Sequence, residues 1–484
     1  MKLLQVKGNQ IVDEDGASMI LRGIGLGGWL SMENWIMGYP AHEQGMRDSV
    51  RKVLGEECAN FFFDRFTEYF FAESDAEFIS SLGLNVVRIP FHYRLLEDDS
   101  MPFEIREEGF LQLDRAIELC ARHNIYSILD LHSVPGWQNG DWHCDNPTHI
   151  SLFWQHRTFQ DRVVHLWEAL AQRYANCKSV AGYNPLNEPA ASSGPAVAAF
   201  YTRIQKAIRR HDENHILFLD GNRYGIDFTI FGAPGPNVVY SPHDYPAPAY
   251  TPDSKYPGYC HLAHITEHEE EDKAYELGLI TPNDSPDQYF DRDVIERGFL
   301  VRTKYMRETD TPVLVGEFNA IFPGDEESDG MRLRLLADQL EIYKKYNASW
   351  IFWGYKDVGL VSPLTVARDS RWVRRIQPII DKKARLGVDL WGGRLDRIDH
   401  ILKPIKELFA AEFPHYSPFP WGSDFRIERT IPQILLADAL IPEFGELFRG
   451  MTEDEIDEMM QSFRLENCVP RESLINLFRK AATD

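Results

Sequence analysis

VAGYNPLNEP, residues 180–189, decides how the rest of the chain is read. An apolar run climbs to Asn187 and Glu188 and stops at Pro189, which removes a backbone donor and biases its predecessor away from helix. A strand ending here leaves an amide and a carboxylate side by side at its C-terminal tip. Taken alone, these residues suit a polar strand-to-helix turn. Their company elsewhere in the chain argues for more.

Working outward, the same kind of run recurs. SMILRGIG starts at Ser18, NVVRIPF at Asn85, YSILDLH at Tyr126, ILFLDG at Ile216, VVYSPHDY at Val238, PVLVGEF at Pro312 and SWIFWGY at Ser349. With the opening stretch they make eight short, nearly continuous apolar runs, as parallel strands buried on both faces require. Between them lie helical periods. Val197, Phe200, Tyr201, Ile204 and Ile208 fall on one helical face, as do Val163, Val164, Leu166, Trp167 and Leu170, and then Leu335, Leu336, Leu340 and Tyr343. Eight β-then-α units predict an α/β chain folded as a (β/α)8 barrel, the TIM-barrel architecture, with an open doubly wound sheet as the second choice.

LLQVKGNQIVDEDG predicts an N-terminal β-hairpin turning at Lys7-Gly8-Asn9 and plugging the barrel from below. After the eighth run comes a long excursion, about 358–399, and then a helix in IDHILKPIKELFAAEF. The barrel unit is accordingly placed at residues 1–413. Residues 414–484 hold further helical patterns, among them TEDEIDEMMQSF with Thr452 and Glu455 as a capping box, and are expected to form a helical C-terminal extension packed on the barrel.

Composition bounds the partners. Across 484 residues the formal net charge is −23, opposite to what nucleic-acid phosphates demand. No stretch approaches the roughly 18 apolar residues of a membrane span. Six cysteines lie far apart without CxxC spacing, as reduced thiols do, and the start of the chain lacks the pattern of a signal peptide, so a cytoplasmic location is expected. Self-association through the C-terminal helices is left open.

In such a barrel every strand's C-terminal end opens on one face. Reading off those ends gives Arg88, His132, Asn187 with Glu188, His243 with Tyr245, Glu317 and Trp353. Any one of them suits a satisfied core residue. Together they describe chemistry, and Glu317 after VLVG is a costly place for a carboxylate without a task. Two glutamates facing each other suit glycosidic cleavage, in which one carboxylic acid protonates the leaving oxygen and a second carboxylate meets the anomeric carbon. Their pKa values must be pushed apart, and an arginine and a tyrosine hydroxyl near Glu317 keep it ionised. Asn187 suits a sugar 2-hydroxyl, and Trp353 offers a flat apolar face to the ring. Trp137 and Trp142 lie among Gly, Asn and Asp in the loop after the third run, as subsite walls or as packing.

From about Leu21 to Phe413 the chain resembles glycoside hydrolase family 5, the cellulase-like retaining β-glycosidases. The family's Arg, His, Asn-Glu, His-x-Tyr, Glu and Trp are met by Arg88, His132, Asn187-Glu188, His243-Asp244-Tyr245, Glu317 and Trp353, in order. The resemblance implies Glu188 as general acid/base, Glu317 as nucleophile, carboxyl groups about 5–5.5 Å apart and retained anomeric configuration, with no metal or other cofactor. RGIGLGGWLSMENWI from Arg22 and LHSVPGWQNG from Leu131 are similar to the family's exo-acting β-1,3-glucanases, where a glutamate in the place of Glu33 helps close a pocket around a terminal glucose; Asn139 lies in the second motif. The implied activity is an exo-acting β-glucosidase or exo-β-glucanase on a small or oligomeric β-glycoside. β-Mannosidase and endo-β-1,4-glucanase are the alternatives within the family.

Other classes fare worse. A metal-dependent barrel hydrolase wants His-x-His after the first run, where Gly25-Leu26-Gly27 stands, and GxSxG is absent. A non-catalytic sugar-binding barrel would keep Trp353 and lose a glutamate, yet both are present. His261, His264 and His268 at helical spacing suggest a metal, but they lie in a long acidic stretch that reads as a solvated loop helix.

Overall fold

A computed structural model of the chain describes residues 1–251, 253–261, 287–388 and 395–483. Its centre is an eight-stranded parallel sheet. The strands are β1 (Arg22–Gly25), β2 (Val86–His92), β3 (Tyr126–Ser133), β4 (Val180–Asn184), β5 (Ile216–Asp220), β6 (Val238–Ser241), β7 (Leu314–Phe318) and β8 (Ser349–Trp353). Each pairs with the next, β8 pairs with β1, and bridges from Tyr240 to Val313 and from His243 to Glu317 close the sheet between β6 and β7. The predicted crossover helices stand at Arg157–Tyr174, Gly194–Ile208 and Glu326–Lys345. Two bare backbones let the eighth strand close on the first: a Cβ at Gly25 or Gly27 would come within 2.7 or 2.8 Å of the Trp353 ring.

The N-terminal hairpin pairs Leu4–Lys7 with Gln10–Asp13. Its Leu4 and Ile11 pack with Val86, Ile128, Ile216, Val239, Leu314 and Ile351, sealing the end of the barrel away from the strand tips. No described helix is long and apolar enough to cross a membrane. After β6 a two-stranded ribbon pairs Gly258–His261 with Asp287–Phe290. His261 is exposed on it and bonds Asp287 at 2.7 Å; His264 and His268 lie outside the described residues.

The chain's end differs from its sequence reading. The helix expected to follow β8, at Asp399–Glu412, buries only Leu402 and leaves Ile401, Leu408 and the adjoining Phe413 exposed. The place beside β8 is taken by the last helix, Glu472–Thr483. Its Phe478 ring lies 4.9 Å from Phe352 and 6.1 Å from Trp350, and its Ala482 carbonyl accepts from Arg22 at the base of β1. The intervening chain returns through a short strand, Cys468–Pro470, paired with Leu364–Val366. Thus 414–484 is largely helical, with the predicted capping box at Thr452 and Glu455, but its final helix belongs to the barrel wall. Sequence order misleads here because apolar spacing marks a buried face without saying against what. Phe478→Ala is expected to cost about 3–5 kcal/mol in denaturant unfolding, and exposed Phe413→Ala within about 0.5 kcal/mol.

Candidate active site

The strand tips converge as their order predicts. Arg88 on β2 is buried, and at that depth a guanidinium must be fully partnered. Its Nη1 lies 2.5 Å from Glu317 Oε1, and its Nη2 reaches Asp130 at 3.1 Å, Asn184 at 2.8 Å and Asn187 at 2.7 Å. Tyr245 donates to the other Glu317 oxygen at 2.9 Å. Glu317 is thus oriented through both oxygens, one charge-assisted.

Glu188 has a different environment. Its backbone is left-handed, φ 44°, a strained setting for a non-glycine residue that the surroundings must enforce. The N–H donates to Asp220 at 3.0 Å, and the carbonyl accepts from the Asn139 amide at 3.0 Å. Its carboxylate oxygens lie 2.6 Å from His243 Nδ1 and 3.1 Å from His143 Nε2. Burial pushes the Glu188 carboxyl up, but the charges and hydrogen bonds of His243 and His143 outweigh it and hold the group below the usual range. Reciprocally, burial works against charge on His243, yet Glu317, Asp220 and Glu188 raise it to about 9.

One oxygen each of Glu188 and Glu317 and a nitrogen of His243 lie within 4.8 Å of one another. Among the described residues this is the one cluster close enough to ligate a cation. Arg88 already supplies the positive charge there, and both carboxylates have hydrogen-bonding partners. The set is arranged for proton and charge transfer across a short gap.

Trp353 at the tip of β8 stacks on His132, with ring centroids 4.9 Å apart and planes at 8°, and the Arg88 guanidinium sits 5.4 Å from the Trp353 ring. Burial lowers the His132 pKa, and its Nδ1 faces Asp130 at 2.8 Å. Glu33, after β1, is buried too. One of its oxygens accepts from Trp35 at 2.6 Å; the other has no hydrogen bond and lies 3.8 Å from His132. Burial, with Glu317 and Glu188 nearby, pushes Glu33 up to about 8, so it carries a proton at neutral pH.

Three sequence expectations need correction or refinement. Asn139 is not free for substrate: it is buried, its Oδ1 accepts from Asp141, and its Nδ2 is spent on Glu188 and His143. Trp142 is mostly buried beneath Arg429, whose guanidinium lies 4.8 Å from its ring, although the indole N–H has no partner. Trp137 is half-buried at a left-handed backbone position in the same loop.

Several participants escaped the sequence reading. Asp130 sits two residues before His132 on β3, hence on the same face, and period-2 alternation would have found it. Asp220 ends its apolar run just as Glu188 follows its own. His143, within the short turn Trp142–Cys144, gives no periodic signal.

Residues 54–359 match Cellulase (glycosyl hydrolase family 5). A β-xylosidase of Phanerodontia chrysosporium is 40% identical over 489 aligned residues, covering 98% of this chain and 97% of that protein. A probable glucan 1,3-β-glucosidase A of Aspergillus niger is 27% identical over 394 residues, 71% of this chain and 85% of its own length. Among solved structures, an endogalactoceramidase shares the fold with a TM-score of 0.51 at 15% identity, covering 79% of this chain and 78% of that one.

Proposed function

The chain belongs to glycosyl hydrolase family 5 and is an O-glycosyl hydrolase, and from that premise we propose that it removes a terminal β-linked glucose by double displacement, with Glu317 as nucleophile and Glu188 as acid/base. The observation that carries this reading is the pair of carboxylates with one oxygen of each within 4.8 Å of the other, one held by Arg88 and Tyr245 and the other by two imidazoles. An inverting pair needs a water between carboxylate and sugar and stands about 6.5–9.5 Å apart. In the first step Glu317 bonds the anomeric carbon as Glu188 gives its proton to the departing oxygen. In the second, Glu188 takes a proton from water, which displaces Glu317 and restores the original configuration.

Two features favour a pocket over an open cleft. Glu33, protonated and with one oxygen unpartnered, presents a donor or acceptor to a sugar hydroxyl beside His132 and Trp353. The C-terminal segment also leans on the site loops: Arg429 bonds Asp141 at 3.1 Å, Arg223 donates to the Pro420 carbonyl, and Phe425 packs on His149. A wall of that kind blocks extension of the substrate and suits exo action.

The β-xylosidase relative favours a second reading, terminal β-xylose, in the same pocket. Initial rates on aryl β-glucoside, β-xyloside, β-mannoside, β-galactoside and β-cellobioside, with Glu317→Gln as blank, separate these. The glucoside is expected to turn over fastest and the xyloside next, with cellobioside slow. A xyloside preference of about tenfold or more, ~1.4 kcal/mol of discrimination, would transfer the assignment to the pentose. Turnover of cellobioside alone would overturn exo action.

A further inference from the structure

Glu188 is bracketed by imidazoles, and the second of them lies outside the set of strand-tip residues. His143 Nε2 faces two groups at once: Glu188 Oε2 at 3.1 Å and the Asn139 amide nitrogen at 2.9 Å. The orientation of that amide is fixed independently. Its Oδ1 accepts the Asp141 N–H at 2.9 Å, and its Nδ2 donates to the Glu188 carbonyl at 3.0 Å. An amide nitrogen only donates, so Nε2 must offer it a lone pair, and in that tautomer Nε2 carries no hydrogen. The proton between His143 and Glu188 then resides on Oε2, the state a general acid needs.

We propose that His143 is a positioning residue for the reaction, clamped by Asn139 so that the proton it shares with Glu188 is presented on the carboxyl oxygen facing the leaving group. This rests on the acid/base assignment of Glu188. The remaining groups facing His143 are Asp141, Glu33, the His132 ring at 5.9 Å and the Tyr224 ring at 6.4 Å. Burial disfavours charge on the imidazole, while its contact with Glu188 and the charges of Glu188 and Asp141 keep one proton on this pair up to about 9, the counterpart of the lowered Glu188 carboxyl. The proton belongs to the pair and stays bound past neutrality.

As the bond from the anomeric carbon to the leaving oxygen breaks, its electron pair goes to that oxygen, which takes the proton from Oε2, while Glu317 bonds the carbon. Glu188 is left as carboxylate beside neutral His143. In the second step, a proton from the attacking water returns to Oε2.

The test compares His143→Gln with the parent and with Glu188→Ala on phenyl and 2,4-dinitrophenyl β-glycosides of the accepted sugar. For His143→Gln, kcat/KM on the phenyl glycoside is expected to fall about 10²-fold, with the dinitrophenyl substrate within about threefold of the parent, since a leaving group that good needs little acid help. The alkaline limb of the phenyl-glycoside profile is expected to move to lower pH. Equal losses on both substrates, or no loss on either, would overturn the proposal. If Glu188→Ala itself shows no dependence on leaving group, the acid/base assignment fails instead. A reading free of turnover uses ring-nitrogen NMR: at neutral pH Nε2 of His143 is expected to show the shift of an unprotonated ring nitrogen that accepts a hydrogen bond. A protonated Nε2 at neutral pH would overturn the placement of the proton on Glu188.

Discussion

Glu317→Ala is expected to lower kcat by about 10⁴-fold or more while the protein stays folded, with near-parent circular dichroism and a cooperative melt. The loss is large because no neighbouring group can replace the carboxylate at the anomeric carbon: Arg88 only donates, and burial with the nearby Glu317 keeps Tyr245 a neutral phenol. The fold survives because Arg88 keeps Asp130, Asn184 and Asn187 as partners. Added azide is expected to restore turnover by entering the vacated space and to give the α-glycosyl azide. Retained parent rates would remove Glu317 as nucleophile.

Glu188→Ala is expected to cost about 10²–10⁴-fold on glycosides with poor leaving groups and far less on activated ones. With an activated substrate the glycosyl-enzyme still forms, and its hydrolysis then limits the rate because no base remains for the water. A burst of released aglycone followed by a slow steady state is the expected trace. Azide bypasses that base and gives the β-glycosyl azide. The opposite anomers from the two variants tie each carboxylate to its own face of the sugar. A uniform loss over all leaving groups would contradict the assignment of Glu188.

The barrel was legible in the sequence because buried parallel strands must be short, apolar and capped by polar tips. Those same tips carry Arg88, His132, Glu188, His243, Glu317 and Trp353. Their contacts follow from the closure of the sheet, above all the bridge that sets His243 against Glu317. The final helix was readable as a helix but not in its place: Phe478 reaches Phe352 across a large insertion that no periodicity spans. The bracing role of Asn139 was not legible because a loop asparagine looks the same whether it faces substrate or holds a neighbour's backbone. His143 was invisible for a related reason: its meaning lies in the 3.1 Å to Glu188, which is set by the turn after β3 and by no local pattern.

Double displacement by Glu188 and Glu317 fixes the configuration of the first-formed sugar. Proton NMR of a freshly started hydrolysis of the accepted aryl β-glycoside follows the anomeric signal before mutarotation. The β-anomer is expected first, with the α-anomer growing in later. Initial appearance of the α-anomer would mean a single displacement by water and would rule out a glycosyl-enzyme on Glu317.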